Sequence, residues 1–341
     1  MKNKATNIII VLLFIAGIAF VFYPVITNSL FTQSSNEVIK EFKKTAETIR
    51  DIDSANGDDV SGTGDDDSGI TDDESDTTDD NKSVQPQSLY ADMQAYNREI
   101  YENDQIGLQD PFVFEIPAFD LTSYGFQSNV AGYIKIPRMD VELPIYFGAT
   151  TENLALGAAS LAYTSTPIGG ENTNTVLAAH RGAGAAAMFR DIETLEIGDK
   201  VYITNLWETL TYQVTETKVI LPTDVQEVCI QEGRDMLTLI TCHPYTKNYQ
   251  RYVVYCDHIF ENKQDEQVNG EKAQQVDEEI DTMDTGLEIK YLFKLDELSD
   301  SQRLIFAEKW IPIGVAILLL LLILVQVVLW VCKKKKAHKR F

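Results

Sequence analysis

The sequence predicts a mainly β domain of about 130 residues, closed or sandwich-like, with short helices and a membrane-spanning helix toward each end. Three observations predict it. Short β-type runs recur between turn signals from Val130 to Phe260: GYIKI, VELPIYF, NTVLAAH, DKVYITN, LTYQVTETKVI, MLTLITC and RYVVYCDHI. Two uncharged apolar runs, Ile8–Tyr23 and Ile311–Cys332, lie near the two ends. Polar, acidic stretches separate both runs from the β-rich region.

Residues 1–30 read as an N-terminal membrane anchor. At about 1.5 Å per residue, roughly 20 apolar residues cross a bilayer core. A cleaved signal peptide is the alternative. No clear small-x-small cleavage site follows Tyr23, which favours an uncleaved anchor. Residues 31–50 carry a short amphipathic helix, with Val38, Phe42 and Ala46 at helical spacing. Residues 51–88 read as an acidic, disordered linker. Positions 51–80 hold thirteen Asp/Glu and no Lys/Arg, and too few apolar groups to offset the entropy of ordering. Aspartate is a hard ligand for calcium, but no stretch carries the spacing of an EF-hand loop.

Residues 89–129 hold a helix over 89–105 and then a non-helical stretch. Gly107 opens that stretch, and Asp110-Pro111-Phe112 follows. Residues 130–260 are the β domain, interrupted by one helix near Ala185–Leu195. Residues 261–310 are an acidic juxtamembrane segment, with a helix near Asp296–Lys309. Residues 311–332 are the second membrane helix, uncharged throughout and flanked by Trp310 and Trp330. Residues 333–341 are a basic tail. Lys2, Lys4 and the Lys333–Arg340 cluster predict both termini in the cytoplasm and a two-pass membrane protein with its β domain outside.

The chain has 341 residues and a formal net charge of −23. An acidic surface repels phosphates, so nucleic-acid binding is excluded. A hydrophobic fraction of 44% excludes a wholly disordered chain. Four cysteines make no disulfide scaffold, and no CxxC pair suggests zinc.

Cysteine-based nucleophilic catalysis needs a thiolate, a proton carrier and a donor for the developing oxyanion. Cys242 ends the run Met236–Cys242, where a side chain stands at the rim of a sheet. Pro244 then stops the strand. Arg251 starts the next run. If the two runs pair as a hairpin, Cys242 and Arg251 sit near the same end. Alternation then puts Val253 and Tyr255 on the face of Arg251 and turns Cys256 away. His180 ends a second apolar run before Arg181-Gly182. His243 neighbours Cys242, but successive strand residues face opposite ways, so it is a poor partner. Taken singly, each group also has a plain structural reading: a buried thiol, a strand-end charge, a core imidazole.

Together these residues resemble the sortases, the membrane-anchored cysteine transpeptidases of Gram-positive cell surfaces. Thr238-Leu239-Ile240-Thr241-Cys242 matches the family's T-L-x-T-C form. Arg251 in NYQRYVV and His180 in LAAHRG match its Arg and His. The resemblance covers roughly residues 89–260. It implies a closed eight-stranded β-barrel with an N-terminal helical and lid segment. Asp110-Pro111-Phe112 and the run 311–332 look like the lid tripeptide and C-terminal helix of the pilus-assembling class C. Tyr96-Asn97 looks like that class's Tyr-Asn motif. The acidic stretch 51–88 and His243, where Thr or Ser is usual, depart from the pattern.

The resemblance implies a mechanism. Cys242, as thiolate, attacks the Thr carbonyl of an LPxTG-like sorting signal. His180 protonates the leaving Gly amine, and Arg251 holds the oxyanion, with the Thr241 backbone N–H as a second candidate. A pilin Lys amine then resolves the thioester. Asp110 would meet Arg251, and Phe112 would cover Cys242. No cofactor and no metal is implied. The alternatives are a housekeeping, wall-anchoring sortase and a catalytically inactive surface scaffold. A Cys229–Cys256 disulfide is a further possibility outside the cell.

Overall fold

The computed structural model describes residues 2–56, 84–110, 117–182, 186–260, 299–308, 310–315 and 317–318. Their β-type runs form eight strands: β1 Val130–Ile136, β2 Val141–Phe147, β3 Ala158–Ser160, β4 Thr173–Ala178, β5 Lys200–Thr204, β6 Thr209–Ile220, β7 Asp235–His243 and β8 Gln250–His258. They close into a barrel in the order β1-β2-β3-β4-β7-β8-β6-β5. The pairs β2–β3 and β4–β7 are parallel, and the others are antiparallel. Closure leaves no free sheet edge.

Two strands of the site are buried almost throughout. β4 is buried throughout, and β7 is buried from Asp235 to Thr241. Their continuous runs of Val, Ile, Leu and Thr suit strands covered on both faces. Val176, Ala178, Met236, Ile240, Val253 and Tyr255 share one core cluster, so the face of β8 that bears Arg251 turns inward. At Gly132 a Cβ would stand 2.4 Å from the Thr204 carbonyl oxygen, so β1 approaches β5 closely only because that side chain is missing.

The helices among the described residues include α1 Lys2–Asn56, α2 Pro86–Glu102 and α3 Thr151–Leu156. α1 is longer than the sequence suggests. The expected anchor (1–30) and short helix (31–50) are one uninterrupted helix, which also takes in the first six residues of the expected linker. Nothing at that junction breaks a helix, and the one proline, Pro24, does not end it. The buried stripe of its second half is Ile39, Phe42, Ala46 and Ile49. Val38, expected in the stripe, is only half-buried. Arg50 donates to the carbonyls of Leu206 and Asn205 at 3.2 and 3.3 Å.

α2 starts with Pro at its first turn, where a missing N–H costs nothing. It buries Leu89, Met93, Asn97 and Ile100 at spacings of one helix face. The helix expected near Ala185–Leu195 is only a 3-10 turn, Ile192–Thr194. Residue 185 of that stretch, with 183 and 184 before it, lies outside the described residues. Linker residues 57–83, most of the segment 261–310 and the tail 333–341 also lie outside them, while 86–88, expected as linker, open α2. Residues 300–308 are helical.

By compactness the chain divides into two units. One comprises Gln33–Ala183 and Met188–Asp284 and contains the barrel. The other comprises Met1–Thr32, Gly184–Ala187 and Thr285–Phe341, where the Ala187 N–H donates to Asn28 Oδ1 at 3.0 Å. Among the described residues no helix is long and apolar enough to cross a membrane. The two expected anchors therefore rest on the sequence alone, and most of 311–332 lies outside the described residues.

Candidate active site

Cys242 and Arg251 are direct register partners at the end of the β7–β8 hairpin. On the other side of β7, the parallel pairing with β4 ends at Ala178–Ile240. It extends one step further through the Ala179 N–H, which donates to the Ile240 carbonyl at 3.3 Å. Thr241 Oγ1 donates back to the Ala179 carbonyl at 2.7 Å. Continued once more, this register brings His180 level with Cys242. Three neighbouring strands thus deliver imidazole, thiol and guanidinium to one end of the barrel. The strand itself stops at Ala178, two residues before His180. His180 accordingly sits on the loop, where its carbonyl accepts from the Phe189 N–H at 3.1 Å.

Arg251 is 7% exposed and tightly held. Its Nε donates to Asp110 Oδ1 at 2.8 Å and its Nη2 to Asp110 Oδ2 at 2.6 Å. This fork-to-fork pairing is the strong form of a charge-assisted contact. Nη1 donates to the Asn248 and Gln250 carbonyls at 3.2 and 2.9 Å. Burial opposes the guanidinium charge, but the bonds to Asp110 more than offset it, and its pKa is raised.

Asp110 arrives from a segment anchored at several points. Gln105 donates to the Tyr163 carbonyl at 2.9 Å and accepts from the Ile230 N–H at 2.6 Å. Leu108 packs on the core cluster. Asn97 accepts from the Thr166 N–H and hydroxyl at 2.8 and 3.0 Å, and Tyr96 Oη accepts from the Tyr163 N–H at 2.9 Å. The Tyr-Asn pair therefore fastens α2 to the barrel. Asp110 is the last residue described in this segment. Pro111 and Phe112 lie outside the described residues.

Burial pushes the Cys242 thiol pKa up. Arg251 pulls it down, Asp110 pushes it up, and Arg181 pulls it down, with a net rise. Burial also holds the His180 imidazole below its ordinary value. At neutral pH the pair therefore rests as thiol and imidazole. With Asp110 docked, the nearest cation is already neutralised. A proton must pass from Cys242 to His180 before attack.

The backbone N–H of Thr241 is less available than expected. Strand groups alternate in direction, and the Ile240 carbonyl faces β4. The Thr241 N–H then points toward β8, where Tyr252 is its register partner. Cys229, Cys242 and Cys256 are all free, which corrects the suggested Cys229–Cys256 bridge. Cys256 is wholly buried in β8, while the Cys229 sulfur turns toward the Val225 carbonyl. Among the described residues no group of three or more His, Cys, Asp or Glu could hold a metal ion.

One part of the site escapes a reading of the sequence. Arg181, 4% exposed, reaches from beside His180 to His243 and to Glu193. The Arg–Gly after His180 hints at Arg181. Nothing in the sequence marks Glu193, which lies on the 3-10 turn Ile192–Thr194.

Residues 134–259 match a family model described as a sortase domain. Sortase A of Bacillus anthracis is 33% identical over 170 residues, covering 49% of this chain and 78% of that protein. Sortase A of Listeria monocytogenes is 37% identical over 125 residues, covering 36% of this chain and 54% of that protein, little more than half its length. Among solved structures, Streptococcus agalactiae sortase C1 is 33% identical with a TM-score of 0.49, covering 52% of this chain and 91% of that one.

Proposed function

Because the chain belongs to the sortase family of cysteine transpeptidases, we propose that it is a class C sortase, which joins a sorting signal to a pilin lysine. One observation carries the class: the two-pronged pairing of Asp110 with Arg251, beside Cys242. A carboxylate there occupies the cation that a substrate carbonyl would need. The apolar runs at 8–23 and 311–332 support a two-pass membrane location with the barrel outside.

The reaction begins with displacement of Asp110 by an LPxTG-like signal. The thiol proton passes to His180. Cys242 Sγ bonds to the Thr carbonyl carbon, and the oxyanion is held by Arg251. Collapse breaks the Thr–Gly C–N bond while His180 delivers its proton to the Gly nitrogen, leaving a thioester. The Nζ of an acceptor lysine then attacks, His180 takes its proton, and the Cys242 thiol is regenerated with an isopeptide bond formed. Both substrates and the enzyme would be confined to one membrane surface, which raises effective concentration without tight binding.

The test is intact-mass analysis of the full-length protein after incubation with an LPxTG-type peptide. Wild type and Asp110→Ala are expected to carry the acyl adduct, and Cys242→Ala is not. An adduct surviving Cys242→Ala would overturn the nucleophile. Adding a lysine-bearing pilin fragment separates the class from a housekeeping sortase: an isopeptide product supports class C.

A further inference from the structure

The residues that follow the two proposed reacting groups in the chain meet each other in space. Arg181 follows His180, and His243 follows Cys242. Arg181 Nη1 lies 2.7 Å from His243 Nδ1 and 3.5 Å from the Cys242 carbonyl oxygen. Arg181 Nη2 donates to Glu193 Oε1. His243 Nδ1 lies 3.2 Å from that same carboxylate oxygen. Tyr252 lies against the group, its ring centroid 5.9 Å from the guanidinium carbon and 5.6 Å from the His243 ring. The side chains of Arg181 and Glu193 are 2% and 7% exposed.

A guanidinium only donates hydrogen bonds. His243 Nδ1 must therefore accept, and the neutral ring carries its proton on Nε2. A proton added to Nδ1 would set two donors against each other at 2.7 Å and turn His243 toward Glu193. The bond from Arg181 to the His243 ring would then be lost, leaving only its longer contact with the Cys242 carbonyl.

We propose that Arg181, Glu193 and His243 form a positioning cluster that holds His180 level with Cys242, and that protonation of His243 loosens it. The proposal rests on the reading of Cys242 as nucleophile and His180 as its proton carrier. Arg181 is adjacent to one and bonded to the carbonyl of the other, so its anchoring sets their separation. Misplacement of reacting groups by about 1 Å can cost on the order of a hundredfold in rate. The groups facing His243 are Arg181 from the loop after β4, Glu193 from the 3-10 turn, Tyr252 from β8 and Cys242 on its own strand. Burial and Arg181 hold the His243 pKa below its ordinary value, against the pull of Glu193. His180 is lowered as well. Two imidazoles must then be neutral on the acid side of the activity profile.

The experiment measures kcat and KM for hydrolysis of an LPxTG-type peptide by the full-length protein, from about pH 4.5 to 8. In wild type, log kcat falls toward acid with a slope approaching two, one for each imidazole. In His243→Asn the amide oxygen takes the acceptor's place and does not titrate, so the slope drops to about one. His243→Ala lowers kcat about tenfold with KM little changed, and Asn restores most of it. Equal slopes in wild type and His243→Asn, or an unaltered kcat in His243→Ala, overturn the cluster. Activity that survives Cys242→Ala overturns the nucleophile instead, and the proposal with it. Circular dichroism confirms that each variant is folded before its rate is read.

Discussion

Removing the charge of Asp110 should make Cys242 more reactive, and the gain can be worked out. The carboxylate acts on the sulfur across one guanidinium, and a separation of about 7 Å serves for the Coulomb arithmetic. At an effective dielectric of about 20 it opposes thiolate formation by roughly 2 kcal/mol. Halving that for partial exposure leaves about 1 kcal/mol, close to one pKa unit. A fall of one unit raises the thiolate fraction about tenfold at pH 7, while the weaker base loses about threefold in intrinsic nucleophilicity. The net gain is about threefold from charge alone. Asp110→Asn isolates this effect, because the side chain keeps its shape. Asp110→Ala adds whatever access the lost pairing opens. The assay is site-resolved mass spectrometry of iodoacetamide labelling, which distinguishes Cys242 from the half-buried Cys229. At high pH, where the thiol ionises in every form, the gain in thiolate fraction vanishes and only the roughly threefold lower nucleophilicity of the Asn variant remains. A labelling rate at pH 7 that is unchanged or slower in Asp110→Asn refutes the reasoning. So does an Asn-to-wild-type ratio that is the same at both pH values.

Two further outcomes follow from the anchoring and the buried imidazoles. Gln105→Ala removes the bonds to Tyr163 and Ile230 and should cost about 1–3 kcal/mol, read by thermal unfolding, with faster Cys242 labelling because Asp110 is less firmly presented. His180 and His243 have pKa values lowered in the fold, so the unfolded chain takes up protons first on acidification. Stability should therefore be full above about pH 6.5 and decline below it, and the decline should be shallower in His243→Asn when followed by Tm against pH.

Much of the site was legible because its members end apolar runs. Met236–Cys242 and the run from Arg251 carry strand composition and a turn between them, so their pairing follows from local pattern alone. Strand alternation also dismissed His243 as a partner for Cys242 and set Val253 and Tyr255 on the inner face, where the core cluster contains them. The level placement of His180 depends on a parallel pairing, β4 with β7, which no local pattern announces. Glu193 was invisible for a related reason. It sits in a polar turn, and only the closed barrel brings that turn against Arg181. The Ala185–Leu195 stretch reads as a helix by composition, yet its residues serve as ties to neighbouring elements, such as the Phe189 N–H to the His180 carbonyl at 3.1 Å. The resting protonation state was illegible too, since it depends on burial and on Asp110 rather than on residue type.

The bond between Asp110 and Arg251 joins positions 141 apart in the chain, and the carboxylate comes first. A ribosome makes the N-terminal partner earlier. When β8 emerges and closes the barrel, the counter-ion for its arginine is already waiting. The newborn protein is therefore latched at the moment it becomes able to react. Because the latch belongs to the same chain, dilution does not loosen it. A group that competes for the guanidinium is what the latch is built to yield to.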